Sequence, residues 1–230
     1  MTVIFPIGGI GSRFITAGYP IPKPFLPVGD TNLIELAINS YPEDSRFIFI
    51  PRLEFADRLK ELLASTNLNY KVMSINYDTS GPIKTILAYV DLIVNDWEVM
   101  VADCDSFINA REIEQAVDYF RSKSADGGVT VRKTTDPNCS YAKIVGDTVI
   151  ETREKDVISD WSTTGPYWFR SGRILVNAMK QASSFGITSI SPVYNCMIKD
   201  GARVISYMVN TFTHLGTPEE YESYCQRFSL

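Results

Sequence analysis

The residues able to do chemistry crowd the first thirty positions. An apolar run, Val3-Ile4-Phe5-Pro6-Ile7, leads into Gly8, Gly9 and Gly11, then Ser12-Arg13-Phe14, Pro22-Lys23-Pro24 and Pro27-Val28-Gly29. The run predicts a short buried strand. Glycines after it let the backbone take unusual dihedrals and approach a ligand closely. Successive N–H groups in such a loop can converge on one anion. Arg13 adds a forked cation suited to phosphate oxygens, and Lys23 a compact one. Pro22 and Pro24 stiffen the chain around Lys23. These types in this order predict a triphosphate cradle at the end of the first strand. Ile7, Gly8, Gly9, Gly11 and Ser12 line it, and Arg13 and Lys23 carry its charge. The spacing matches neither a P-loop nor G-x-G-x-x-G.

Further along, the apolar Trp97–Ala102 stretch ends in Asp103-Cys104-Asp105. Two carboxylates at i and i+2 on a strand end can reach one hard cation, and Mg²⁺ takes one or two carboxylates plus phosphate oxygens. The plain alternative is capping of the helix that follows, since acids favour its start. Thr79-Ser80-Gly81-Pro82 precedes a helix expected over Ile83–Val94. Pro82 suits its first position, and its exposed N–H groups could also meet the edge of a base. Lys155 sits between acids, where a solvated surface role competes with a binding one. His214 is the only histidine, and Thr217-Pro218-Glu219-Glu220 reads as a capped helix start.

Gly-Gly-x-Gly-x-Arg-Phe, then Pro-Lys-Pro, then Leu215-Gly216-Thr217-Pro218-Glu219-Glu220-Tyr221 resemble the sugar nucleotidyltransferases, also called nucleoside-diphosphate-sugar pyrophosphorylases, over nearly the whole chain. The resemblance implies transfer of a nucleoside monophosphate from a triphosphate to a sugar-1-phosphate or similar small phosphorylated acceptor. Pyrophosphate leaves, and Mg²⁺ is the cofactor. It assigns Arg13 and Lys23 to catalysis, Asp103 to the metal with Asp105 as second candidate, and Thr79, Ser80, Gly81 and Ala102 to the nucleotide. Lys155 and Gly165 fall to the acceptor. Two departures stand out. Asp156 replaces the proline of the family's Glu-Lys-Pro, and His214 replaces an aspartate that serves relatives as second metal ligand. His214 is therefore open as a metal ligand, a phosphate contact or a packing residue. The chain leans towards the cytidylyltransferase-like branch, and the implied setting is surface polysaccharide or glycoconjugate synthesis.

The elements that must position these residues alternate between strand and helix. Strands are expected at Phe47–Ile50, Tyr70–Ile75, Gly128–Arg132, Tyr167–Phe169 and Arg203–Met208. Helices are expected at Leu33–Ser40, Phe55–Ala64, Glu112–Ser122, Ile174–Ala182 and Pro192–Ile198. A hairpin turns at Gly146-Asp147. This pattern, with the family likeness, predicts an α/β fold: a Rossmann-like three-layer α/β/α arrangement, with a mixed, mainly parallel central sheet, as a single domain over 1–230. Ligands of such sheets sit at the carboxyl ends of strands.

A net charge of −5 argues against non-specific nucleic-acid binding. Four scattered cysteines form no C-x-x-C, so neither a zinc site nor a disulfide framework is expected. No apolar run is long enough to span a membrane. The expectation is a soluble cytoplasmic protein, with homo-oligomerisation open. Two competing functions remain at this level. One is a glycosyltransferase using Asp103-x-Asp105 for a nucleotide-sugar; the other is a non-catalytic nucleotide sensor. The Arg13 and Lys23 loop argues against the first, because a diphosphate donor held through Asp-x-Asp has no need of it.

Overall fold

The computed structural model describes residues 1–228. Its strands are β1 (Thr2–Phe5), β2 (Pro27–Val28), β3 (Thr31–Asn32), β4 (Arg46–Phe49), β5 (Asn69–Val72), β6 (Val99–Val101), β7 (Ser106–Phe107), β8 (Gly127–Lys133), β9 (Ser140–Val145), β10 (Thr148–Glu154), β11 (Trp161–Phe169), β12 (Val204–Met208) and β13 (Thr213–His214). The helices are α1 (Ser12–Thr16), α2 (Leu33–Ile38), α3 (Leu53–Leu63), α4 (Pro82–Leu87), α5 (Val90–Ile93), α6 (Ala110–Ser122), α7 (Gly172–Ser184), α8 (Val193–Lys199) and α9 (Pro218–Arg227).

Nine strands form one mixed sheet in the order β5-β4-β1-β6-β11-β8-β12-β10-β9. The expected parallel character holds for β5-β4-β1-β6 and for β8-β12. The sheet is mixed, as expected, but parallel pairs do not predominate: β11 runs antiparallel to β6, β8 and β9, and β10 runs antiparallel to β12 and, in the expected hairpin, to β9. For β9 and β10 the reason is connection length. The two-residue turn at Gly146-Asp147 can join only antiparallel neighbours.

Alternation along the strands sends side chains into two cores. Ile4, Ile48, Val99, Val101 and Phe169 pack with Ile83, Leu175, Met179 and Tyr194. Val3, Phe5, Phe47, Phe49 and Met100 pack with Ile34, Leu59, Ile113 and Phe120. Helices therefore cover both faces of the sheet. The helix expected over Ile83–Val94 is two helices. The backbone leaves helical dihedrals at Tyr89 (φ −127°, ψ 36°), whose hydroxyl is tied to the Ser74 carbonyl.

A third, smaller core joins the two ends of the chain. Phe14, Leu26, Val28 and Leu33 from the N-terminal segment pack with Leu215 and Tyr221. The Tyr221 hydroxyl donates to the Pro27 carbonyl at 2.6 Å. Phe14, Tyr19 and Tyr221 meet edge to face. This contact brings α9 and its preceding turn against the glycine loop.

Candidate active site

β1 and β6 lie side by side with Ile4 opposite Val101, so the glycine loop and Asp103 leave the sheet at the same edge. The Ala102 N–H donates to the Ile4 carbonyl and fixes that exit at 2.9 Å. Gly11 takes a left-handed φ of 69° at the head of α1, and its carbonyl accepts from Phe14 and Ile15. These bonds turn Arg13 outward, where it is exposed.

The C-terminal turn supplies the opposite wall. Thr217 and Glu220 form a complete capping box on α9. The Glu220 carboxylate accepts from the Gly216 and Thr217 N–H groups, each at 3.0 Å, and meets His214 Nδ1 at 3.0 Å. The His214 ring lies against Gly216 so closely that a Cβ there would stand 2.2 Å from its Cε1. This pinning matters because the Gly216 carbonyl faces both N-terminal cations. Arg13 Nη1 donates to it at 3.4 Å and Lys23 Nζ at 3.5 Å.

Lys23 also pairs with Asp105, and both side chains are largely buried. Desolvation opposes the charge on Lys23, but the attraction of Asp105 outweighs it and the ammonium titrates above its ordinary value. Burial disfavours the Asp105 carboxylate in turn; Lys23 and His214 overcome this and hold its pKa below the usual range. His214 Nε2 stands 3.9 Å from Asp105. Asp103 differs. It opens onto the cleft, yet the protein packed behind it and the neighbouring Asp105 push its pKa up to about 7, against the pull of Lys23.

A cleft of about 630 Å³ runs past these groups, lined by Arg13, Asp103, Lys155, Gly165 and His214 among others. Gly165 sits in the irregular stretch of β11, where the register with β8 shifts between Thr163 and Tyr167. Its φ is 100°, and a Cβ there would stand 2.9 Å from Asp103 Oδ2 and 3.1 Å from Ser106 Oγ. Lys155, just past the end of β10, has a φ of 52°. A non-glycine residue in that region marks local strain, which collects at functional sites. The sequence carries no signal for it.

The remaining predicted residues fall into different surroundings. Ile7 and Ala102 are buried in the second core, so only their backbones can serve a ligand. Gly8 has no room for a Cβ, but what crowds it is Ile75 and Thr85, at 2.6 and 3.0 Å. Gly9 and Ser12 are exposed. The Thr79 and Thr85 hydroxyls bond each other at 2.7 Å. Gly81 packs against the Thr188 carbonyl, which also accepts from the Ile83 N–H at 3.3 Å. Ser80 is exposed beside it. Lys23 and Asp105 are paired with each other beside the cleft. Sequence reasoning missed Arg132 and Phe212, which also line the cleft. Arg132 lies in a strand outside any motif; Phe212 opens the stretch that runs through His214 to Tyr221, but its type alone suggested no role there.

Among the described residues no group of three or more His, Cys, Asp or Glu side chains is placed to hold a metal by itself. The donor set is nonetheless suited to Mg²⁺. Asp103 offers a carboxylate to the cleft, and this cation takes its other oxygens from phosphate and water. No helix among them is long and apolar enough to cross a membrane.

The nucleotidyl transferase family model matches residues 2–227. No curated protein matches by sequence. The solved structures similar to this chain include three of different specificity. A nucleoside-diphosphate-sugar pyrophosphorylase from Vibrio cholerae RC9 shares 26% identity at a TM-score of 0.83, covering 97% of this chain and 99% of that one. A putative glucose-1-phosphate thymidylyltransferase from Bacillus anthracis, in complex with a sucrose, shares 20% at 0.81, covering 98% and 94%. The inositol-1-phosphate CTP transferase from T. maritima shares 15% at 0.79, covering 97% and 92%.

Proposed function

Since the chain belongs to the nucleotidyl transferase family and is of the nucleoside-diphosphate-sugar pyrophosphorylase kind, we propose that it joins a nucleoside monophosphate to a sugar-1-phosphate or similar small phosphorylated acceptor, releasing pyrophosphate. Its products would then feed surface polysaccharide or glycoconjugate synthesis.

The observation that carries this reading is the convergence of Arg13 and Lys23 on the Gly216 carbonyl, 203 and 193 residues away in sequence. Two cations are held at one place by a backbone oxygen that phosphate oxygens can outbid. The attacking acceptor phosphate is already ionised, so no general base is needed. The protein's work is alignment and neutralisation of charge. Arg13 takes the β- and γ-phosphates and the leaving pyrophosphate, and Lys23 the α-phosphate. Lys155 takes the acceptor phosphate. The glycine loop offers N–H groups to the triphosphate, and the Thr79–Gly81 turn meets the base.

Asp103 would hold Mg²⁺, which when bound polarises phosphate oxygens. Asp105 serves as the partner that orients Lys23, and His214 backs Asp105 while packing on Gly216. That engagement of Asp105 counts against a glycosyltransferase relying on Asp103 and Asp105 as a metal pair.

The test is pyrophosphate release with Mg²⁺, each of the four common nucleoside triphosphates and a panel of phosphorylated acceptors. Release that needs one triphosphate and one acceptor together supports the proposal and names both. Transfer of sugar from a nucleotide-sugar, with no pyrophosphate-driven return to triphosphate, would refute it.

A further inference from the structure

The proposed reading leaves one cation of the cleft without a role. On the proposed reading, Arg13 and Lys23 serve the triphosphate and Lys155 the acceptor phosphate. Arg132 is left over. It projects from β8 into the same cleft, and its guanidinium carbon lies 4.6 Å from the centre of the Phe212 ring. Its Nε is buried and donates to nothing in the protein, and no carboxylate pairs with it among the described residues.

Asp136 accepts from the Asn138 backbone and side chain at 2.9 and 3.0 Å, and Glu154 accepts from Ser140 at 2.5 Å. Only the half-buried Cys139 thiol leans on the Arg132 side chain; burial pushes its pKa up and Arg132 pulls it back. A guanidinium with one face on an aromatic ring and no carboxylate partner suits a bidentate oxyanion.

Arg132 and Lys155 enter the cleft from different strands, Arg132 within β8 and Lys155 just past β10. Arg132 stands opposite Ser162, Ser162 opposite Tyr141, and Tyr141 opposite Arg153. The chain of pairings runs from β8 through β11 and β9 to β10, and Lys155 lies two residues beyond Arg153. The two cations therefore reach the cleft from different parts of its wall.

We propose that Arg132, seated on Phe212, is a second anion site, and that the acceptor carries an oxyanion there besides the phosphate that attacks. This rests on the pyrophosphorylase reading and narrows it to acidic acceptors, a carboxylate or a second phosphate being the group recognised.

The test uses the full chain and three acceptors on one ring: a hexose 1-phosphate, the corresponding hexuronic acid 1-phosphate and the hexose 1,6-bisphosphate. Pyrophosphate release gives kcat/KM, and calorimetry gives the affinities of triphosphate and acceptors. A charge-assisted hydrogen-bonded pair corresponds to roughly a 10–100-fold preference for a doubly anionic acceptor. Whichever of the two is preferred identifies the source of the oxyanion. Arg132→Gln should erase the preference while triphosphate affinity stays within about twofold. Arg132→Lys, which keeps the charge without the fork, should retain part of it, and melting midpoints confirm that both variants fold.

Equal use of the three acceptors, or a preference that survives Arg132→Gln, would overturn the proposal. If none turns over, the same comparison of acceptor affinities decides, and equal binding to wild type and Arg132→Gln overturns it. Failure of the wild type to bind any triphosphate would instead sink the pyrophosphorylase reading.

Discussion

Gly165→Ala should damage turnover far more than stability, because its Cβ is aimed at Asp103. Two effects combine. A φ of 100° is foreign to a residue with a Cβ and costs about 1–3 kcal/mol. The new methyl would stand 2.9 Å from Asp103 Oδ2 and 3.1 Å from Ser106 Oγ, so the carboxylate must move. For a chain of this size, about 1 kcal/mol lowers the melting midpoint by roughly 2–4 °C. Gly146→Ala is the matched control. Its φ is 64° in the β9–β10 turn, and nothing lies within 4 Å of the position a Cβ would take. It carries backbone strain without the contact. Thermal unfolding of both variants beside pyrophosphate-release kinetics makes the check. The expected result is a loss of several degrees in each, with kcat falling about 100-fold or more in Gly165→Ala alone. Normal turnover in Gly165→Ala, or an equal loss in Gly146→Ala, would refute the claim that Gly165 exists to give Asp103 its place.

Four further outcomes follow from the same geometry. Arg13→Ala should lower turnover about 100-fold or more and leave the melting midpoint unchanged, since Arg13 is exposed and holds a single 3.4 Å bond; kinetics and calorimetric melting check this. Glu220→Ala removes the acceptor for the Gly216 and Thr217 N–H groups and the partner of His214. About 1–2 kcal/mol of stability should go, and KM for the triphosphate should rise several-fold as the Gly216 carbonyl drifts, whereas Glu220→Gln, which can keep the capping box, should recover most of both. Asp103, raised to about 7 in the fold, binds its proton more tightly than in the unfolded chain. It therefore contributes stability that is fully present below about pH 4 and is lost as pH rises towards 7, and Asp103→Asn should flatten that slope in denaturant titrations. The same proton competes with a cation, so Mn²⁺ affinity measured by paramagnetic resonance should weaken as pH falls below 7.

Much of this protein was legible in its sequence, because the signals were local. The Asn32, Asn109, Ser171 and Thr217 caps accept from the N–H groups of the turns they open, as short polar side chains before apolar periodicity must. The strands appear where apolar runs do, and the glycine loop follows the first of them. What the sequence could not reveal depends on residues far apart in the chain. Parallel or antiparallel pairing of β11 is decided by which strands flank it, not by its composition. The partnership of Lys23 with Asp105 needs a loop 82 residues away, and neither residue's spacing discloses that this carboxylate is engaged. His214 looked like an isolated histidine until the fold set Glu220 and Asp105 on either side of its ring. Arg132 lay inside an ordinary strand pattern, and only the tertiary structure put it on Phe212, in the cleft and without a carboxylate partner. Local sequence determines which backbone shapes are cheap; it takes the sheet order and the joining of the chain's two ends to decide which charges meet.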